Sequence, residues 1–244
     1  MRAENFPACF TADVEQDCPP YLATHRGMTE GLPRLLDLLA EPEVNVRGTF
    51  FVTGEMARRF PEIIARLVAE GHELGCHGDL HRDFATLDRA AADAELRAAL
   101  ATLRAFAPVV SFRAPYLRFP AEHLPLLVAH GLRIDSSLAR YKFGANHRAE
   151  NGAAGLTRVA ASATSSVLRL PALVREPWLA SLARPLMLFV HPWEAVDWRA
   201  TRLRWDCRFR TGAPAIAAWR AVLRRTQEQG ARFARLDALV AAGV

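Results

Sequence analysis

The stretch CHGDLH, Cys76 to His81, sets His77 and His81 four residues apart. Imidazole nitrogens at that spacing can chelate a borderline divalent ion from one helix face, as HExxH metal sites do. Here Gly75 and Gly78 lie on either side of His77, and each glycine costs about 1 kcal/mol relative to alanine in a helix interior. The preceding HELGC is short and strand-like, and the acidic residue falls one place too late for HExxH. A loop-borne pair that takes a third ligand from elsewhere fits better. Asp13 and Glu15 offer it: they end an apolar run, on one face, because strand side chains alternate with period two. Two imidazoles, a carboxylate and an open position for water make a catalytic donor set for zinc or a similar ion. The residues alone leave open which carboxylate completes it.

Such groups need a scaffold that brings distant segments together. Apolar runs with strand character occur at ACFTADVE, RGTFFVTG, HELGCH, VVSFRA, LRID, VLRLP and LMLFVH. Between them lie segments of helical period: GLPRLLDLLAE, EMARRFPEIIARLVAEG closed by Gly71, a long helix after Thr86 or Asp88, PAEHLPLLVAHG and APAIAAWRAVLRRTQEQG. ARFARLDALV ends the pattern. Repeated strand-then-helix order predicts a parallel α/β sheet, open or closed into a barrel, with chemistry at the carboxyl ends of its strands. Asp13 and Glu15, then His77 and His81, Arg113, Asp135 and His191 all fall at such ends. That convergence is stronger evidence than any single motif.

The chain of 244 residues, 51% hydrophobic, suits a single domain spanning 1–244. KFGANHRAENGAAG is the least regular stretch. The formal charge of +5 comes almost wholly from arginine, Lys142 being the only lysine. Apart from short pairs such as Arg58-Arg59 and Arg224-Arg225, these charges are interspersed with acids, which argues against nucleic acid as a partner. No apolar run reaches the roughly 18 residues of a membrane span, and the N-terminus lacks a signal-peptide core. The expectation is a cytoplasmic protein, without a transmembrane segment, whose four cysteines are free thiols.

In order along the chain, FTADVE, GTFFVTGE, GCHGDLH, FRAPY, DSS and LFVHPWE resemble the polysaccharide deacetylase family, the NodB-homology carbohydrate esterases similar to carbohydrate esterase family 4. The resemblance covers nearly the whole chain and implies a distorted (β/α)7-type barrel. It implies that His77 and His81 bind the metal, Asp13 is the general base, and Glu15, two places after the base, is the carboxylate ligand, with Asp13 as the competing ligand. Within FRAPY it implies that Arg113 pairs with Asp13, Pro115 shapes the groove and the Tyr116 N–H faces the developing oxyanion. His191 matches the general acid. Asp135 and Glu194 are rival partners to orient His191, and Trp193 either walls the groove or packs. Cys76, next to a ligand, points away.

The function implied is a metal-dependent hydrolase, with zinc or another divalent ion, that removes an N-acetyl or N-formyl group from an amino sugar or a glycan precursor of the cell envelope. The run ADVEQD…THRGMTEGLPRLLDLL resembles the branch that deformylates a lipid-linked formamido-arabinose, so a lipid-linked substrate and peripheral membrane contact belong to this expectation. The alternatives are an allantoinase-like amidohydrolase on a small non-sugar amide and a carbohydrate-binding pseudoenzyme. The pseudoenzyme would have lost the base, a ligand or the acid, and Asp13, both histidines and His191 are present.

Overall fold

The computed structural model describes residues 5–141 and 154–243. Most of KFGANHRAENGAAG, expected to be irregular, lies outside the described residues. The strands are β1 (Phe6–Val14), β2 (Thr49–Val52), β3 (Glu73–Cys76), β4 (Ser111–Phe112), β5 (Ile134–Asp135), β6 (Thr157–Arg158), β7 (Leu186–Val190) and β8 (Ala231–Phe233). All pair in parallel, in the order β6-β5-β4-β3-β2-β1-β7, and β8 joins the lower part of β1. An isolated bridge, Ala163 to Leu188, carries the chain after β6 back against β7. The sheet therefore curls into a half-barrel of the expected (β/α)7 type.

Ten helices are described: α1 (Leu32–Ala40), α2 (Gly54–Arg59), α3 (Pro61–Ala69), α4 (Arg89–Leu103), α5 (Leu124–Ala129), α6 (Ser165–Leu168), α7 (Ala172–Ala180), α8 (Trp205–Arg208), α9 (Ala213–Glu228) and α10 (Leu236–Ala241). None is long and apolar enough to cross a membrane. The single helix expected over EMARRFPEIIARLVAEG is two. Pro61 has no N–H for the helix and opens α3 instead, while Phe60 leaves helical geometry at φ −132°. The strand expected at VLRLP is absent as well. Thr164 is extended and starts the short helix α6, and β6 lies earlier, at a pair of residues too short to show a period. Arg169 within VLRLP is fully buried and bonds the backbone carbonyls of Asp206 and Phe209, a tertiary contact that overrides the apolar pattern.

Alternation along β1 divides the molecule into an outer and an inner core. Ala8, Phe10, Ala12 and Val14 face the helices, with Leu35, Leu39 and Leu96 among their cluster. Cys9 faces the barrel interior with Phe51, Met187, Leu236 and Leu239. Interior side chains stack in layers. At the bottom Glu73 accepts from Thr49 Oγ1 at 2.7 Å, from Ser111 Oγ, and from the Asp237 backbone N–H of α10, which seats that helix under the sheet. Above it Gly75 leaves room for the Phe51 ring, which a Cβ there would approach to 2.7 Å. Phe51 in turn carries the Arg113 guanidinium at 4.2 Å from its centroid. The layer above Arg113 holds the polar strand ends.

His72 lies where α3 turns into β3, buried, with Nδ1 accepting the Gly48 N–H at 3.0 Å. Burial, reinforced by Arg47, Arg235 and Arg66, pushes its pKa down from 6.5 to about 4. The unfolded chain therefore binds this proton first. The contribution is complete above pH 6.5 and falls by about 1.4 kcal/mol per unit as pH drops towards 4. Denaturant unfolding between pH 7.5 and pH 5 should show the wild type losing more stability than His72→Asn, which does not titrate; parallel profiles would refute this.

Candidate active site

The turn after β3 is built for its histidines. Gly78, at φ +76°, takes a left-handed position that a side chain rarely adopts, and the Gly78–Leu80 backbone folds over Phe84 and Glu95. Glu95 of α4 accepts the N–H groups of Asp79 (3.0 Å) and Leu80 (2.7 Å), and Arg58 of α2 grips the Asp79 carboxylate at 2.6 and 3.1 Å. His81 itself is left-handed, at φ +55°, a strained conformation for a non-glycine residue that this packing holds in place. The loop geometry expected from the glycines is the one observed.

Both imidazoles meet Glu15. Its Oε2 lies 2.5 Å from His81 Nε2 and 3.3 Å from His77 Nε2, and one ligand atom from each residue falls within 4.8 Å of the others. His77 Nδ1 is 2.7 Å from the Arg113 carbonyl oxygen, which can only accept, so Nδ1 carries a proton and Nε2 is the ring atom that faces Glu15. Burial alone would raise the Glu15 pKa; the charge of His81 and hydrogen bonds from His77 and His81 outweigh it and hold the carboxyl well below its ordinary range. Two imidazole nitrogens converging on an ionised, buried carboxylate fit a divalent ion of the zinc type.

Asp13 sits one β1 pleat below and makes a different contact. Its Oδ1 accepts from Arg113 Nη1 at 2.7 Å, and the same guanidinium donates to Thr11 Oγ1 and to Ser136 through both Oγ and the carbonyl. Arg113 is fully buried, so these acceptors are its replacement for water. The two carboxylates are thus separated by geometry: Glu15 faces the imidazoles and Asp13 faces Arg113.

Across the cavity His191 leaves β7 with Nε2 3.8 Å from Glu15 Oε1. Its Nδ1 donates to Glu194 Oε1 at 2.8 Å, and that oxygen also accepts the His191 backbone N–H. Burial opposes a charge on His191, but the hydrogen bond to Glu194 and the charges of Glu15, Glu194 and Asp13 prevail and raise its pKa to about 9. Glu194 is paired in turn with buried Arg169, 2.7 Å away. Trp193 stacks on His191 at 5.1 Å and packs with Cys18, Val196, Trp198 and Leu203, so it both lines the cavity and fills the rim core.

Asp13, Glu15, His77, His81, Tyr116 and His191 share one cavity of about 330 Å³. Tyr116 is left-handed, at φ +60°, and its ring meets His81 edge-on at 4.8 Å; Pro115 is buried and opens the same turn. Cys76 points away, into the outer core. Asp135 is not brought to His191. It is buried, paired with Arg158 at 2.9 Å and accepting the Ser137 N–H at 3.0 Å, so its position beside the Ser136 and Ser137 contacts of the Arg113 segment replaces the expected contact with His191. Glu95 and Arg169 went unnoticed in the sequence. Both carried a signal: Glu95 interrupts the buried stripe Ala92, Ala99, and Arg169 interrupts an apolar run.

The polysaccharide deacetylase family model matches residues 17–134, a span that contains His77, His81, Arg113 and Tyr116 and stops short of Asp13, Glu15 and His191. Over those residues the chain is similar to the polysaccharide deacetylases. A peptidoglycan-N-acetylglucosamine deacetylase of Bacillus cereus is 41% identical to this chain over 59 residues, 24% of this chain and 21% of that protein. The chain thus aligns with only about a fifth of that relative's length. In fold it is similar to a family 4 carbohydrate esterase from Streptomyces lividans solved with acetate (TM-score 0.60, 16% identity, 94% of this chain and 92% of the other). It is also similar to a family 4 pseudoenzyme from Bacillus anthracis (TM-score 0.65, 16% identity, 97% and 66%).

The candidate site gives a test that needs no substrate. Purified wild type, dialysed against weak chelator and assayed by atomic spectroscopy, should retain about one equivalent of divalent metal, and His77→Ala and Glu15→Ala should lose it. Glu95→Ala, which frees the loop without touching a ligand, should bind about 10- to 100-fold more weakly. Metal retained in both ligand variants would exclude this site.

Proposed function

We propose that the chain hydrolyses the N-acyl amide of an amino sugar in a saccharide or glycan precursor, with a divalent ion held by Glu15, His77 and His81. The observation that carries this reading is the division of labour between the two β1 carboxylates, Glu15 among the imidazoles and Asp13 on Arg113, with His191 opposite. The similarity to amino-sugar deacetylases supports the substrate class.

An amide resists water because water is a poor nucleophile and the amine a poor leaving group. A divalent ion in this site supplies Lewis acidity, which polarises the acyl carbonyl and makes water more acidic. Asp13 acts as general base: Arg113 occupies Oδ1 and aims the carboxylate, and Oδ2 takes the proton as water attacks. The Tyr116 N–H, held by the left-handed turn, stabilises the oxyanion, a donor of a kind worth about 3 kcal/mol. His191 keeps its proton at neutral pH through Glu194 and delivers it to the departing nitrogen from Nε2. The products are a free amine and a small carboxylate, acetate or formate.

Asp13→Asn keeps an oxygen for Arg113 and removes the base, so it should retain metal and fold while acetate or formate release from N-acylated amino sugars falls by about 10²-fold or more. Wild-type rates in that variant would exclude Asp13 as base. Release of acid from small non-sugar amides and not from acylated sugars would support the amidohydrolase alternative instead.

A further inference from the structure

Residues 198–210, WRATRLRWDCRFR, hold five arginines in thirteen positions. Short helix α8 in their midst has two working sides. Arg204 and Cys207 line the active-site cavity, whereas Trp205, Arg208 and Phe209 line a second pocket of about 430 Å³ with Arg199, Arg210 and Pro214. Trp205 is 61% exposed and stacked on Phe209 at 4.4 Å, an aromatic platform left open to solvent.

The arginines around this platform are not equivalent. Arg199 is closed by both oxygens of Asp197, and Arg204 by both oxygens of Asp206. No carboxylate among the described residues lies within ion-pair reach of Arg208 or Arg210, and the Nε of each is shielded from solvent without a hydrogen-bond partner. Two uncompensated guanidiniums beside an aromatic face match a ligand with two negative charges on one group better than a single carboxylate, and guanidinium forks suit phosphoryl oxygens. The segment is also tied to the active site: Arg169 holds the Asp206 and Phe209 carbonyls while pairing with Glu194, the partner of His191.

We propose that this pocket is a subsite for a phosphoryl-bearing saccharide, in which Arg208 and Arg210 take the phosphoryl group and Trp205 the adjoining sugar face. The acylated-sugar reading of the active site supplies the identity of the sugar; the anion preference stands on the pocket alone.

Titration calorimetry tests it without turnover. The wild type should bind N-acetylglucosamine 1-phosphate about tenfold or more tightly than N-acetylglucosamine, with a preference that weakens in high salt. Arg208→Gln/Arg210→Gln should abolish the preference. His77→Ala should keep it, which separates the pocket from anion capture by the metal site. Trp205→Ala should weaken the sugar phosphate while leaving inorganic phosphate unaffected. Equal affinities in the wild type, a preference that survives the double variant or disappears in His77→Ala, or equally tight binding of inorganic phosphate or of oligothymidylate would overturn the proposal. If the preference holds in a chain that hydrolyses no acylated sugar, the subsite stands and the proposed reaction falls.

Discussion

A guanidinium buried in the middle of a barrel is the constraint around which the site is arranged. Arg113 has no water around it, so every one of its hydrogen-bond donors demands a protein acceptor, and an unpaired charge at that depth would cost several kcal/mol. Thr11, Asp13 and Ser136 supply acceptors from β1 and the end of β5. The Arg113 carbonyl receives His77 Nδ1–H, so the same residue sets the tautomer of one imidazole and the aim of one carboxylate. Phe51 lies against the guanidinium only because residue 75 is glycine. Three strands and two polar groups are thereby locked to one side chain.

Around this centre each reactive group is held from behind by a residue that never faces the cavity. Glu95 and Arg58 fix the His77–His81 turn, and they hold His81 in a left-handed conformation that isolated chain would leave. Glu194 and Arg169 do the same for His191, and Arg169 extends the linkage to the α8 segment. These supporting contacts hold the cavity's groups without occupying it. Such partners commonly tune ligands and acids as much as the groups they support.

The order of strands and helices was legible because buried parallel strands read as short apolar runs and their cover helices as longer periodic ones. It failed where local pattern and tertiary contact disagree. At EMARRFPEIIARLVAEG the apolar period runs through Pro61 although the backbone cannot. At VLRLP five apparently strand-like residues are governed by what Arg169 reaches, forty residues away at Phe209. Strand β6 has two residues, below the length at which alternation can be recognised.

The amino-acid sequence by itself determined the inventory of the candidate site: a glycine-broken histidine pair, carboxylates two apart on one strand face, and an arginine and a histidine at other strand ends. These follow from side-chain chemistry and from periods of two and 3.6, which are local properties. Only the tertiary structure decided the partners. It put Glu15 on the histidines and Asp13 on Arg113, gave His191 to Glu194 and Asp135 to Arg158, and gathered the α8 arginines around an open aromatic face. The physical reason is that a hydrogen bond or ion pair depends on distances of about 3 Å between atoms that the chain separates by up to a hundred residues, and only closure of the sheet sets those distances.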